Sequence, residues 1–338
     1  MSEVSDPVSP TETASTEKQS LHEFASSRRG KRKDWLFALK AAASILLLAF
    51  VLSRADLASV GAAIIGVEIQ WVVLAIACQL LGSALIAFRW KGLLALHEIR
   101  PGFLYLYRST LISGFFKQFM PSTLGGDVIR GYDAWRAGAS TGLAFMSLLI
   151  DRLMGLLALL TLAMGALLIS PQIADRLPGV QVWGALVFGV LILLLVFFAR
   201  PHARQMPEAD VEEQGGGKLQ KILRSLALYR GSPKTLLRAL GVSFLLQINV
   251  VTFYWALSMA LGLSIAYADF YVIAPVAILV MMLPISINGI GVREGIFVFL
   301  LAQWGVGSAE AVALAWLEYG IFLAFGLFGG VLFALRRR

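Results

Sequence analysis

Long apolar runs separated by basic segments dominate this chain and restrict how it can thread a membrane. The runs cover 35–53, 69–88, 103–120, 142–169, 181–199, 237–261, 268–283, 292–304 and 309–335. Most have the length of a spanning helix rather than of a barrel strand. Charged residues make up only 15% of the chain and hydrophobic residues 58%, where a soluble domain carries about 25% charge. The expected class is therefore an all-α polytopic membrane protein. The net charge of +8 fits Lys and Arg gathered at cytoplasmic span ends, so no nucleic acid partner is expected. Cys78 is the single cysteine, which excludes an intrachain disulfide and a multi-cysteine metal site. His22, His97 and His202 lie in unrelated polar segments, so no metal is expected.

Residues 1–34 are polar, then basic at Arg28, Arg29, Lys31, Arg32 and Lys33. They predict a disordered cytoplasmic tail that holds the start of the first span inside, with the cluster also suited to a lipid surface. Arg89, Lys91 and Arg100 mark the end of the second span as cytoplasmic. Segment 200–238 is the longest polar stretch. Within it, 218–230 sets Leu219, Ile222, Leu223 and Leu226 on one face, which fits a helix on an anionic bilayer or an ordinary linker helix. The chain ends in Arg336, Arg337 and Arg338.

If every apolar run crossed fully, the basic 200–238 segment would lie outside, against the positive-inside rule. The conflict disappears if 103–137 is a re-entrant hairpin from the cytoplasm and 268–304 is one from outside. The expected architecture is then two inverted-topology repeats, each a span, a re-entrant helical hairpin and a span. About eight membrane segments result, with both termini cytoplasmic. The domain reading is a tail at 1–34, a transmembrane domain at 35–335 with a cytoplasmic basic loop at 200–236, and a basic tail at 336–338. Paired interrupted segments in two halves point to a binding site near the midplane.

The two hairpin tips carry related motifs. Pro121 to Arg130 and Pro284 to Arg293 both read P-x4-G-x3-R, with Gly126 matching Gly289 and Arg130 matching Arg293. Ser122 and Asp127 accompany the first copy, Ser286 and Glu294 the second. Helix starts at such tips attract anions, and an arginine against the same dipole breaks a local rule, as functional sites do. Glycines 125, 126, 289 and 291 allow close backbone approach. Two arginines with backbone N–H groups suit a phosphate or phosphodiester. Asp127 and Glu294 could meet a cationic headgroup, carry a coupling proton, or neutralise Arg130 and Arg293. Asp151 and Arg152, inside the span 142–169, are further substrate-site candidates, or an interhelical pair or snorkelling charges. Arg108 and Lys117, on the entering arm of the first hairpin, could line a polar path or make structural contacts. Glu318 is a candidate proton site, and Gln247 and Asn249 are expected to hydrogen-bond between helices. Trp35, Trp71, Trp90 and Tyr267 read as interface anchors. Nucleotide, nucleophile-elbow and zinc-protease motifs are absent, so neither enzymatic activity nor a cofactor is expected.

At the stretches FFKQFMPSTLGGDVIR, LLIDRLMGLL and LPISINGIGVREG the chain resembles the membrane domain of lysylphosphatidylglycerol synthases, also called the flippase-like family, over about residues 36–335. Family members often have Gly-Glu where this chain has Gly126-Asp127. The resemblance implies translocation of an anionic or aminoacylated phospholipid, or of a related isoprenoid lipid or glycolipid, between leaflets of the cell membrane. The chain carries no soluble synthase domain, so synthesis of the aminoacyl lipid is not expected. The alternatives are a membrane-embedded headgroup transferase, or an accessory protein that recruits a lipid-modifying enzyme through 200–238.

Overall fold

The computed structural model describes residues 45–46, 48–50, 53, 57–119, 125–169, 171–177, 179–199, 233–283, 285–286 and 288–336. The 1–34 tail, most of the first span, Trp35, Ser122, His22, His202 and the 218–230 segment lie outside these residues. The described chain is helical, with no strand. In order, the helices are α1 (Leu57–Ile65), α2 (Ile69–Ala95), α3 (Phe103–Phe119) and α4 (Gly125–Arg136). Next come α5 (Thr141–Ile169), α6 (Pro171–Arg176), α7 (Val180–Ala199) and α8 (Pro233–Ala260). After a 3-10 turn at Tyr267–Asp269 follow α9 (Phe270–Met281), α10 (Val292–Ala302) and α11 (Ser308–Ala334). Among the described residues, α2, α5, α8 and α11 are the four helices long and apolar enough to cross a membrane.

Helices α2 and α8 run antiparallel. The Glu68 amide donates to the Ala260 carbonyl (2.9 Å) at one end, and Asn249 Nδ2 donates to the Cys78 carbonyl (2.9 Å) further in. Arg89 Nη1 reaches Ser243 Oγ (2.7 Å) at the other end. Helix α5 joins through Gln247 Nε2, which donates to the Gly155 carbonyl (3.0 Å). Gln247 and Asn249 thus make the interhelical bonds their place in an apolar run requires, because lipid offers no alternative partner. Helix α11 closes on α3 where Gly326, Gly329 and Gly330 lie against Gly114, Leu111 and Phe115, the small-residue contact by which membrane helices approach closely.

Helices α3 and α4 pack as an antiparallel pair. Its open end lies beside the end of α11: Tyr105 Oη donates to the Asp133 carbonyl (3.0 Å), and Arg336 Nη2 donates to Asp133 Oδ1 (2.7 Å). Helices α9 and α10 form a second pair. Its open end is closed by Trp304 Nε1 donating to Asp269 Oδ2 (2.8 Å), and lies beside Arg176, which follows α5 and donates to the Gln303 carbonyl (3.0 Å). Trp71, Trp255, Tyr267 and Tyr271 make successive edge-to-face contacts near this second open end.

The Arg336–Asp133 contact carries a prediction. Asp133 is fully buried, so Arg336→Ala strands its carboxylate. The expected loss is about 1–3 kcal/mol, as for a buried acceptor deprived of its partner. Adding Asp133→Asn should recover most of it, read as the melting temperature of the purified protein in detergent.

Candidate functional site

The first hairpin is held by close backbone approach. A Cβ on Gly126 would lie 2.6 Å from the Ser113 carbonyl oxygen and 3.3 Å from Lys117 Cβ, so this residue lets α4 seat on α3. Gly126→Ala must push the helices apart, at about 1–3 kcal/mol for an overpacked contact. The measurement is thermal unfolding, and Gly131→Ala, whose added Cβ meets only ordinary contact at 3.5 Å, is the control expected to stay near wild type.

Seated this way, α4 delivers Arg130 into the bundle, 6% exposed. Its guanidinium lies 4.5 Å from the Trp90 ring centroid, a cation–π contact. Its Nη2 donates to Asp151 Oδ2 (3.1 Å), and its Nη1 is 3.9 Å from Asp127 Oδ1. Asp151, 2% exposed on α5, also accepts from Arg89 Nε (2.6 Å). One buried carboxylate therefore holds two buried arginines, and Arg89 is anchored further on Ser243. Trp90 Nε1 donates to Ser147 Oγ (3.1 Å), which fixes the indole under Arg130. Asp127 pairs with Arg152, from Nε at 2.6 Å and Nη2 at 2.5 Å, on a more exposed face. Arg130 keeps one N–H, on Nε, with no hydrogen-bond partner.

The second tip is built by left-handed backbone. Asn288, Gly289 and Gly291 have φ of 53°, 74° and 81°, conformations that glycine adopts freely and asparagine tolerates. The turn ends at the start of α10, where Glu294 Oε2 accepts from the Gly291 amide (2.7 Å). Arg293 follows in the first turn of α10, 7% exposed. Its Nη2 donates to the Asn288 carbonyl (3.4 Å) and its guanidinium lies 5.0 Å from the Tyr319 ring centroid. Its Nε is 3.5 Å from Glu318 Oε2, but Nε and Nη1 make no hydrogen bond. Glu318, 1% exposed, accepts from Tyr254 Oη on Oε1 (2.8 Å), and its Oε2 has no hydrogen-bond partner.

The two tips meet. Asn288 Nδ2 donates to the Gln118 carbonyl, so the loop before α10 is tied to the end of α3. One residue earlier, Lys117 has an exposed side chain. It interacts electrostatically with Asp127 and Arg152 of the first cluster and with Arg293 and Glu318 of the second. Gln118 Nε2 and Ser286 Oγ are buried without hydrogen-bond partners. The region between the tips thus holds several unused N–H and O–H donors and a lysine, a donor set suited to oxyanions.

Of the residues singled out from the sequence, Arg130, Asp127, Asp151, Arg152 and Gly126 gather in the first cluster, and Arg293, Glu294, Gly289 and Ser286 at the second tip. The expected charge pairing within each motif is only partly what occurs. Arg130 is held chiefly by Asp151, Asp127 by Arg152, and Arg293 faces Glu318 while Glu294 caps its own helix. Arg130 also lies in the second turn of α4, past the strongest part of the helix dipole, whereas Arg293 is in the first turn of its helix. Trp90 is fully buried against Arg130 and is not an interface anchor. Arg89, read from the sequence only as a cytoplasmic marker, is a buried member of the site; the apolar helix continuing through Leu93 and Leu94 is the signal that could have revealed it. Arg108 is exposed and joins neither cluster. No group of three or more potential metal ligands occurs among the described residues.

Four long apolar helices and two charged helix-pair tips define an integral membrane protein with a polar centre inside an apolar bundle. The family described as the lysylphosphatidylglycerol synthase TM region matches residues 37–330, and the chain belongs to that family. No curated protein matches it.

Proposed function

We propose that this protein moves a lipid with an anionic headgroup between membrane leaflets. The headgroup passes between the hairpin tips while the hydrocarbon chains stay in the bilayer. The observation that carries this reading is the pair of buried arginines, Arg130 with its Nε and Arg293 with its Nε and Nη1 lacking hydrogen-bond partners, on tips joined by the Asn288–Gln118 contact. Membership of the lysylphosphatidylglycerol synthase TM region family supports a lipid as the substrate class. An anionic or aminoacylated phospholipid, or an isoprenoid lipid or glycolipid carrying phosphate, fits the donor set.

On this reading both helix pairs are re-entrant, in inverted-topology repeats. Helices α4, α9 and α10 contain 12, 12 and 11 residues, so each extends only about 17–18 Å, short of a hydrocarbon core about 30 Å thick. The open end of the first pair lies beside Arg336, and that of the second beside Arg176 near the far end of α5. The Arg336 end is cytoplasmic in this scheme, because basic residues favour that side, and the protein resides in the cell membrane. Asp151 is committed to arginines and Glu294 to a backbone amide, which favours transport over headgroup chemistry.

The test is reconstitution into liposomes with a labelled phosphatidylglycerol in one leaflet, followed by lipid mass spectrometry. Wild-type protein should redistribute the label without changing lipid composition, and Arg130→Gln plus Arg293→Gln should not. A new covalent lipid species would assign the protein to headgroup transfer instead.

A further inference from the structure

We propose that Glu318 takes up a proton when a phosphodiester anion occupies Arg293, so that the anion and the proton bind together. This rests on the reading of Arg293 as a headgroup ligand and names the ion linked to it.

Glu318 is an acid on α11 sealed inside the bundle. One oxygen accepts from Tyr254 of α8, and the other lies 3.5 Å from Arg293 Nε without a hydrogen bond. Lys117 of α3 and Glu294, beside Arg293 on α10, also act on Glu318. These two are opposite in sign, and Glu294 is already engaged by the Gly291 amide. Arg293 is thus the principal counterion of Glu318, and it holds that carboxylate loosely while its Nε and Nη1 N–H groups make no hydrogen bond.

A phosphodiester that takes those N–H groups puts a second anion on the same buried cation. Two anions sharing one cation away from water raise the proton affinity of the one that can titrate. A phosphodiester remains a monoanion in the neutral range, so the proton goes to Glu318. The carboxylate Oε2, which lacks a hydrogen-bond partner, accepts a proton from solution and becomes a neutral acid, leaving Arg293 to the phosphate. The local charge of Arg293, Glu318 and ligand is then zero. When the anion leaves, Glu318 releases the proton and pairs with Arg293 again. A carrier built this way moves an anionic headgroup together with a proton, so a pH difference across the membrane biases its direction.

The test uses the full-length protein in nanodiscs and dihexanoyl phosphatidylglycerol as probe. Titration calorimetry in two buffers of different ionisation enthalpy counts the protons taken up, and infrared difference spectra report a carboxylic acid carbonyl appearing on binding. The expected result is uptake approaching one proton per probe where Glu318 is ionised in the free protein, with affinity there falling about tenfold per pH unit, the slope for one linked proton. Glu318→Gln should bind with little pH dependence and no uptake. Tyr254→Phe, which keeps the carboxylate, should still take up the proton. Wild-type binding without proton uptake from pH 5 to 9, or uptake that persists in Glu318→Gln, overturns the linkage and leaves the phosphate site standing. Absence of binding at every pH in both proteins removes the phosphate site and the linkage with it. If Glu318→Gln does not fold, the wild-type infrared band decides: its appearance with uptake supports the proposal, its absence refutes it.

Discussion

Asp151→Asn should be among the most damaging single substitutions in this chain for folding. The change is isosteric, so the effect is electrostatic. Asp151 is the carboxylate on which both Arg89 and Arg130 converge, at 2.6 and 3.1 Å, and all three residues are buried. With the carboxylate gone, Arg89 retains Ser243 and Arg130 retains Asp127 at 3.9 Å, while two guanidinium charges remain inside the bundle. Removing one partner of a buried pair costs about 3–5 kcal/mol, a large share of the roughly 5–15 kcal/mol that holds a typical protein folded. The expected result is poor accumulation in the membrane and a much lower unfolding midpoint in detergent. Replacing both members, as in Arg89→Leu plus Asp151→Leu, removes one stranded charge and should be better tolerated than Asp151→Asn. An Asp151→Asn protein as stable as wild type would mean that the arginines find other partners, and the cluster would not be a folding element.

Charge placement along the sequence made much of this protein legible. Apolar runs of spanning length give the helical membrane class, and α5, α8 and α11 follow them closely. The partnerships were less legible, because they join residues distant in sequence. Arg293 and Glu318 lie on α10 and α11, Asp127 and Arg152 on α4 and α5, and Arg89 and Asp151 on α2 and α5. Neighbouring residues such as Arg293 and Glu294 invite pairing on paper, yet successive helical positions do not face each other, and Glu294 turns back to the Gly291 amide. The burial of Arg89 and Trp90 is hidden in the sequence for a related reason. At the end of an apolar run they look like interface residues, but α2 continues to Ala95 and buries both. A run's hydropathy reports its length and says little about which face meets protein.

Under the proposed lipid-transport function, Arg293→Gln and Arg130→Gln should each leave a folded protein and each lower lipid translocation about 10–100-fold, the equivalent of losing charged hydrogen bonds of about 1.5–3 kcal/mol. Folding survives because neither change strands a charge beyond rescue. Without Arg130, the Arg89–Asp151 pair remains and is neutral. Without Arg293, Glu318 keeps Tyr254 and can become neutral by taking a proton. The double variant decides how the two arginines work. If the tips hold one headgroup between them, its phosphate meets both guanidinium groups in the same step, and the two losses couple. A double-mutant cycle on translocation rates, with stability measured in parallel, should then show an interaction of about 0.5–3 kcal/mol, the range for residues sharing a partner. Losses that simply add on a logarithmic scale would assign the arginines to separate steps, each tip handling the lipid on its own side of the bilayer.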